Sequence, residues 1–191
     1  EQEEFAMESH RKALLAYSGG KFDNELIPIK INTEITVTKD DGPREPNEEK
    51  IKSLAPAFLE EGSITAATSS PISVGASALL IGNEPFCEAN DLKPRAEIIS
   101  RAIAGVHWDR MGMGPLPAVE KALQKAKLGI EDIETIELNE AFAAQALYVI
   151  RKGGWDQNKI NLNGGAIALG HPLGCSGARI LTTLINAMEQ N

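Results

Sequence analysis

The sequence has 191 residues, 42% of them hydrophobic, enough for one α/β domain or a domain with part of a second around a real core. A formal net charge of −8 argues against nucleic acid or an anionic membrane as the main partner. The longest apolar run falls far short of a membrane span, so membrane insertion is not expected. The chain opens "EQEEFAMESH", with neither an initiating Met nor a signal-peptide pattern, and so reads as an internal piece of something longer. Cys87 and Cys175 are the only cysteines. They suggest free thiols in a reducing compartment, with one disulfide as the alternative.

In chain order, Phe5, Ala6, Ala13, Leu14 and Tyr17 share one helical face, and Gly19-Gly20 stops that helix. "ELIPIKI" and "EITVT" alternate with period two and predict strands. "KDDGPREPN" is rich in turn residues. Asn47, followed by Glu48 and Glu49, opens a short helix that ends before Pro56. "GASALLI" (75–81) reads as a buried strand, and "RAEIISRAIAGV" (95–106) as a second strand, with helix as its competitor. "GPLPAVEKALQKAKLG" predicts a helix with Pro115 and Pro117 at its start and Gly129 as C-cap. "IETIEL" is a strand, and "NEAFAAQALYVIRKGG" a helix closed by Gly153-Gly154. "KINLNGGAIAL" is a strand running into a glycine-rich stretch, and "SGARILTTLINAMEQ" a last helix. This alternation predicts a layered α/β fold from about residue 71, with residues 1–70 as the end of another region.

Two places share one layout, a strand running out and a helix starting at once. Asn139 sits in the first and His171 in the second. Helix N-termini present free N–H groups, and ligands of open α/β sheets gather at the carboxyl ends of strands, so both side chains are candidates for one pocket. The plain alternatives are an N-cap for Asn139 and a satisfied structural histidine for His171. Against the second stand Gly164, Gly165, Gly170 and Gly174, which frame His171, and Pro172, which presets the following turn. Bare backbone there suits the close approach of a ligand. Other chemistries find no support. There is no GxxxxGK[ST], no GxGxxG at this site and no GxSxG, and no second ligand pair joins His171 and Cys175 into a metal site. Cys175 beside His171 is either a nucleophile or a small packing residue.

"NEAFAAQ" followed by "NGGAIALGHPLGCSGARI" resembles the C-terminal half of the thiolases, the acyl-CoA C-acyltransferases. "LAPAFLEEGSITAATSSPIS", "GASALLI" and "MGMGPLPAVEKAL" extend the resemblance along almost the whole chain. "GCSGAR" is more similar to the degradative 3-ketoacyl-CoA thiolases of fatty-acid β-oxidation than to the biosynthetic acetoacetyl-CoA type. The resemblance implies a thiolase-like layered α/β fold with a mixed five-stranded sheet, lacking its last strands. It divides the chain into 1–70, the end of the N-terminal half with the loop region that covers coenzyme A, and 71–191, the C-terminal domain.

It also implies roles. His171 of the GHP motif activates a nucleophilic cysteine and contributes to an oxyanion hole, and Asn139 of NEAF holds a water completing that hole. A neutral imidazole can take a proton from a thiol and then donate a hydrogen bond, which suits both tasks. Ser70 corresponds to a contact with the pantetheine arm of coenzyme A. Phe58, Ala66 and Phe142 correspond to its tunnel, Met111 to the acyl pocket, and Gly170 to a position beside the reacting thioester. Coenzyme A is a substrate, and neither a metal nor a prosthetic group is implied. Homodimers or homotetramers are expected, in the cytoplasm of a bacterium or the mitochondria or peroxisomes of a eukaryote.

The departures are equally specific. Neither cysteine matches the family's two reactive positions. Val74 stands where Asp is usual, and "TAATSS" replaces "TAGNSS". The chain alone is therefore expected to be inactive, and a non-catalytic CoA-binding or assembly fragment is the rival reading. A ketoacyl synthase is disfavoured because those enzymes pair two histidines with their cysteine.

Overall fold

Helix α1 (Gln2–Ser18) has Glu3 and Glu4 in its first turn, where the helix dipole favours acids, and ends where Gly19 donates back to the Leu15 carbonyl. The computed structural model describes residues 1–190. One face of α1 is built from small buried residues, Ala6, Ser9, Ala13 and Ala16. Spaced three or four apart, they form a single stripe. This stripe packs on α5 (Ala143–Gly153) and α6 (Ala166–Leu169). Because its side chains are short, the glycine-rich backbone comes very near. A Cβ on Gly164 would lie 2.6 Å from the Ser9 carbonyl oxygen and 2.9 Å from the Ala13 nitrogen, and its φ of +81° also suits only glycine.

Leu138, Ala146, Val149, Ile150, Trp155 and Ile160 form the main apolar cluster. Ala6, Ala143 and Ile167 form a second, and Phe5 packs against both. Helix α4 (Pro115–Ala126) lays Leu116 and Val119 on the first cluster. It ends on Lys127 in the left-handed region at φ 58°, two residues before Gly129, the glycine expected to close it. Helix α7 (Ser176–Gln190) buries Thr183, Asn186 and Ala187. Helices α2 (Glu48–Lys52) and α3 (Glu84–Ala89) bury nothing and rest on their Asn47 and Asn83 caps. No helix among the described residues is long and apolar enough to cross a membrane.

The expected five-stranded sheet does not appear among the described residues. The paired strands are β1 (Ile29–Lys30) and β2 (Thr36–Val37), an antiparallel hairpin whose turn is held by the Asn32 side-chain Oδ1 accepting from the Glu34 and Ile35 amides. Isolated bridges join Pro56 to Thr65, Ser69 to Phe142 and Ile136 to Ile160. Segments 75–81 and 95–106 carry no regular secondary structure. A strand persists only where a neighbour satisfies its amides and a second layer covers its apolar face. Here the neighbours are helices, which reach these segments through side chains. Ser77 meets Thr182 at 3.2 Å, Ser100 donates to the Ala122 carbonyl at 2.8 Å, and Lys125 donates to the Arg101 carbonyl at 3.0 Å. Leu80, Ile81, Ile98, Ile99 and Ile103 stay exposed. The parallel Ile136–Ile160 bridge is the sheet fragment that places the site.

Candidate active site

The first site loop begins where that bridge ends. Asn161, buried and at a positive φ of 46°, turns its side chain toward Leu138. Its Oδ1 accepts from the Leu138 amide at 2.8 Å, and its Nδ2 donates to the Leu138 carbonyl at 2.8 Å and to Glu140 at 2.7 Å. One side chain thus takes the place of a pairing strand. It delivers Asn139 to the surface of the core and Glu140 into it. Residues 139–142 are loop, and α5 starts only at Ala143, with the extended Phe142 as N-cap. Asn139 therefore does not cap that helix.

Glu140 ties this loop to the second. Its carboxylate accepts from Ser9 of α1 at 2.7 Å, from Asn161, and from the Ile167 amide at 3.2 Å. Ser9 in turn accepts from the Gly165 amide at 3.0 Å. Burial pushes the Glu140 carboxyl up from its ordinary value, against three donors that favour the anion. The glycines acquire a different explanation here from the close approach of a ligand. A Cβ on Gly165 would land on the Glu140 carboxylate, and one on Gly170 would meet Ser73 Oγ at 2.5 Å. Gly164 and Gly165 make room for α1 and Glu140, so the bare backbone serves internal packing.

Past α6, the chain turns at Gly170 and presents His171 opposite Asn139. Asn139 Nδ2 lies 3.3 Å from His171 Nε2. His171 Nδ1 lies 2.6 Å from Ser176 Oγ, the first residue of α7. Between them runs a turn closed by the Cys175 and Ser176 amides, both donating to the Pro172 carbonyl at 2.9 Å. Both ring nitrogens are therefore engaged. Asn139 Oδ1 is buried and has no protein partner. Cys175 is also buried, and beside it an open groove of about 370 Å³ runs between residues 73–77 and 172–175.

The other expected site residues divide. Ser70 donates through both its amide and its hydroxyl to the Ala141 carbonyl, at 3.0 and 3.1 Å, so it lies against the Asn139 loop. Phe58 and Phe142 meet edge to face at 5.8 Å, and Phe58 remains 68% exposed, an aromatic wall open to solvent. Gly170 is buried next to His171. Ala66 lies exposed on the short 66–68 turn that packs on α1. Met111 sits, exposed, on the 108–113 turn against α5. Ser176, Glu140, Ser9 and Asn161 were not singled out from sequence. For Ser176 and Glu140 a signal existed, a hydroxyl five residues after His171 and a carboxylate directly after Asn139. For Ser9 none did, because it is distant in the chain.

Beneath the site, burial pushes the Glu137 carboxyl up to about 8, while Arg179 at 3.6 Å pulls it down without closing a hydrogen bond. Among the described residues no three His, Cys, Asp or Glu side chains are grouped to hold a metal.

The two loops coincide with a recognised pattern. Residues 92–191 match the family model described as Thiolase, C-terminal domain, and residues 1–85 match Thiolase, N-terminal domain. The chain belongs to the thiolase family. It is 52% identical to a 3-ketoacyl-CoA thiolase of Acinetobacter baumannii, with all of this chain matched to 51% of that protein. It is 51% identical to a 3-ketoacyl-CoA thiolase of Psychrobacter cryohalolentis, again over 51% of that protein. Among solved structures, the Bacillus anthracis acetyl-CoA acetyltransferase superposes with a TM-score of 0.94 at 40% identity, over 99% of this chain and 49% of the other. Human mitochondrial 3-ketoacyl-CoA thiolase in complex with CoA superposes at 0.92 and 36% identity, over 100% of this chain and 48% of the other. The thiolase chain described here thus spans about half the length of the relatives it matches.

Proposed function

We propose that this thiolase sequence supplies one side of an active site that cleaves 3-ketoacyl-CoA by acyl transfer to coenzyme A. The observation that carries the reading is the Asn139–His171 pair at 3.3 Å, held by two loops that share the Glu140 network. In this reading a cysteine thiolate attacks the 3-keto carbon, the C2–C3 bond breaks, and its electron pair passes to the thioester as an enolate. His171 Nε2 takes the thiol proton and then faces the enolate oxygen as a donor. Asn139 Nδ2 lies at the same point and supplies a second donor, directly or through a water it holds. An acid from the half of the fold that this chain does not span protonates the enolate at C2 and so releases acetyl-CoA. The thiol of a second coenzyme A then gives its proton to a base at the site and takes the acyl group, returning the cysteine as thiolate. Ser70, Phe58, Ala66, Phe142 and Gly170 line the approach of the coenzyme A arm, with Met111 toward the acyl chain.

The thiolate comes from the half of the fold that this chain does not span. Cys175 is buried in the turn after His171, and both ring nitrogens of His171 face other groups. A second reading, acetyl transfer in the condensing direction, draws on the superposition with the Bacillus anthracis acetyl-CoA acetyltransferase. The degradative reading is favoured by the two curated relatives at 51 and 52% identity. The same bacterial relatives support a cytoplasmic location, and the family resemblance supports a homodimer or homotetramer.

The test is a thiolysis assay on a polypeptide carrying both halves of the fold. His171→Ala lowers kcat by about 10²–10⁴, the range for a lost general acid–base group. Asn139→Ala lowers it by about 10²–10³, as for one oxyanion donor. Cys175→Ala keeps most activity. Near-normal turnover by the His171 variant overturns the assignment. The 191-residue chain alone shows no turnover, and activity in it that alkylation of Cys87 or Cys175 abolishes would overturn the placement of the nucleophile.

A further inference from the structure

We propose that Ser176 is a positioning residue that fixes the tautomer of His171, with the proton on Nδ1 and a bare Nε2 facing Asn139. Four groups form one line. Asn139 Nδ2 is 3.3 Å from His171 Nε2, His171 Nδ1 is 2.6 Å from Ser176 Oγ, and Ser176 Oγ is 3.1 Å from the Pro172 carbonyl oxygen. The two ends of this line have fixed polarity. A carbonyl oxygen only accepts, and an amide nitrogen only donates. With the Ser176 hydroxyl proton directed at Pro172, its lone pair faces Nδ1, which must carry hydrogen. Nε2 is then left to accept from Asn139. Every donor in the line has an acceptor and no two protons meet.

The reverse assignment is poorer at both ends. With hydrogen on Nε2, the N–H points at the Asn139 amide group. Relief would require turning that amide over, which buries its two N–H donors where Oδ1 now lies, and Oδ1 has no protein partner there. In that orientation both N–H groups lose their acceptor, whereas here one N–H reaches Nε2 and what stays unpartnered is Oδ1 with the second N–H; a carbonyl oxygen short of partners is tolerated more readily than an orphaned N–H. The location of Ser176 makes the constraint rigid. It is 5% exposed and opens α7, and its own amide, like that of Cys175 before it, also donates to the Pro172 carbonyl. The distance from His171 to Ser176 is therefore set by a closed turn as well as by the side chains.

The consequence for catalysis rests on the proposed role of His171 as the base. An imidazole that presents a bare Nε2 is ready to take a proton at that atom, and afterwards both nitrogens donate, Nδ1 still held by Ser176. The tautomer itself can be read without any turnover, so its failure and the failure of the functional reading are separate results.

The experiment is long-range ¹H–¹⁵N correlation on the full chain labelled at its three histidines, above the pH at which the imidazoles become neutral. His171 shows the N–H shift at Nδ1 and the bare-nitrogen shift at Nε2. Free imidazole side chains in water favour the opposite tautomer, so Ser176→Ala moves the population toward hydrogen on Nε2, and Ser176→Thr, which keeps the hydroxyl, restores Nδ1–H. If the chain self-associates, solid-state ¹⁵N spectra of the same sample give the same shifts. A wild-type His171 protonated on Nε2 overturns the proposal even if the variants fail to fold. An unchanged tautomer in a folded Ser176→Ala chain overturns it as well.

Discussion

Residues 27–111 and the assembly of α1 with 138–187 are both rich in aliphatic side chains, yet only the second has a core. Every buried hydrophobic residue lies in α1, at Phe22 or between Leu138 and Ala187. In 27–111, Ile27, Ile29, Ile31, Ile72, Leu80, Ile99 and Ile103 are all exposed. Apolar content is thus not the difference. The second region has layers. A helix with a stripe of small residues lies on two others, and a single parallel bridge aligns the loops between them. The first region has one hairpin and segments that meet helices through side-chain hydrogen bonds. Burial needs an opposing surface at the right distance, and the catalytic candidates sit where that surface exists.

The largest way to break this contrast is at Gly164. Gly164→Ala brings a Cβ against the Ser9 and Ala13 backbone at a φ of +81°. Left-handed strain of about 1–2 kcal/mol and overpacking of about 1–3 kcal/mol together predict a loss of about 2–5 kcal/mol. Gly105 has nothing within 4 Å of its Cβ position. Gly105→Ala is expected to be neutral or up to about 1 kcal/mol stabilising through the unfolded chain. Denaturant midpoints of the two variants measure the difference, and equal losses would mean that the open region is packed in solution.

A similar pair tests burial directly. Ile167 is 2% exposed and Ile103 92%. Ile167→Ala should cost about 2–5 kcal/mol, and Ile103→Ala no more than about 0.5 kcal/mol. The same denaturation experiment reads both.

These pairs also show what was legible in the sequence. Helical periodicity placed α1, α4, α5 and α7, because each has an apolar face that its own spacing reveals. The Asn139–His171 pairing was legible from the two motifs that carry these residues, although the strand expected to run up to His171 is helix α6 at Ala166–Leu169. The strands at 75–81 and 95–106 were not, because periodicity records which residues a sheet would bury and says nothing of whether a neighbour is present. The glycine stretch was legible as a place of close approach, but not what approaches. Ser9 and Glu140 lie 131 positions apart. No local pattern links an α1 serine to a loop carboxylate.

An intermediate effect separates the packed region by pH. The Glu137 carboxyl has a folded value of about 8 against an ordinary 4.5, so the folded state holds its proton more tightly. Its contribution is fully present below about pH 4.5 and is lost as pH rises to about 8. His10, held down to about 4 from 6.5 by burial, has the opposite sign, with stability present above 6.5 and lost as pH falls toward 4. Between pH 6.5 and 8 the Glu137 slope therefore stands apart from that of His10. Glu137→Gln should flatten the fall in denaturant midpoint over that interval. Glu140 and Glu25, raised in the same direction, leave a remainder. An unchanged slope would mean that Glu137 is hydrated and ionised in the folded chain.

The smallest effect is expected in the open region, where local chemistry has no tertiary support. Helix α3 has six residues, none buried, and Pro85 near its start. A helix that short does not persist on propensity alone. What it has is a cap, since the Asn83 side-chain oxygen accepts from the Phe86 amide at 3.0 Å. Removing such a cap costs about 0.5–2 kcal/mol, which exceeds what an unburied single turn gains elsewhere. Asn83→Ala should therefore open α3 by itself. Amide exchange at Cys87 and Leu92, whose N–H groups bond to Asn83 and Cys87 carbonyls, should quicken by roughly 2- to 30-fold, the same cap energy expressed as a rate. Val149 and Ile150, buried in α5, should exchange as before, and the denaturant midpoint should not move. If instead the α5 amides quicken in step with those of α3, the two regions unfold as one unit, and the exposed segments are coupled to the core despite burying nothing in it.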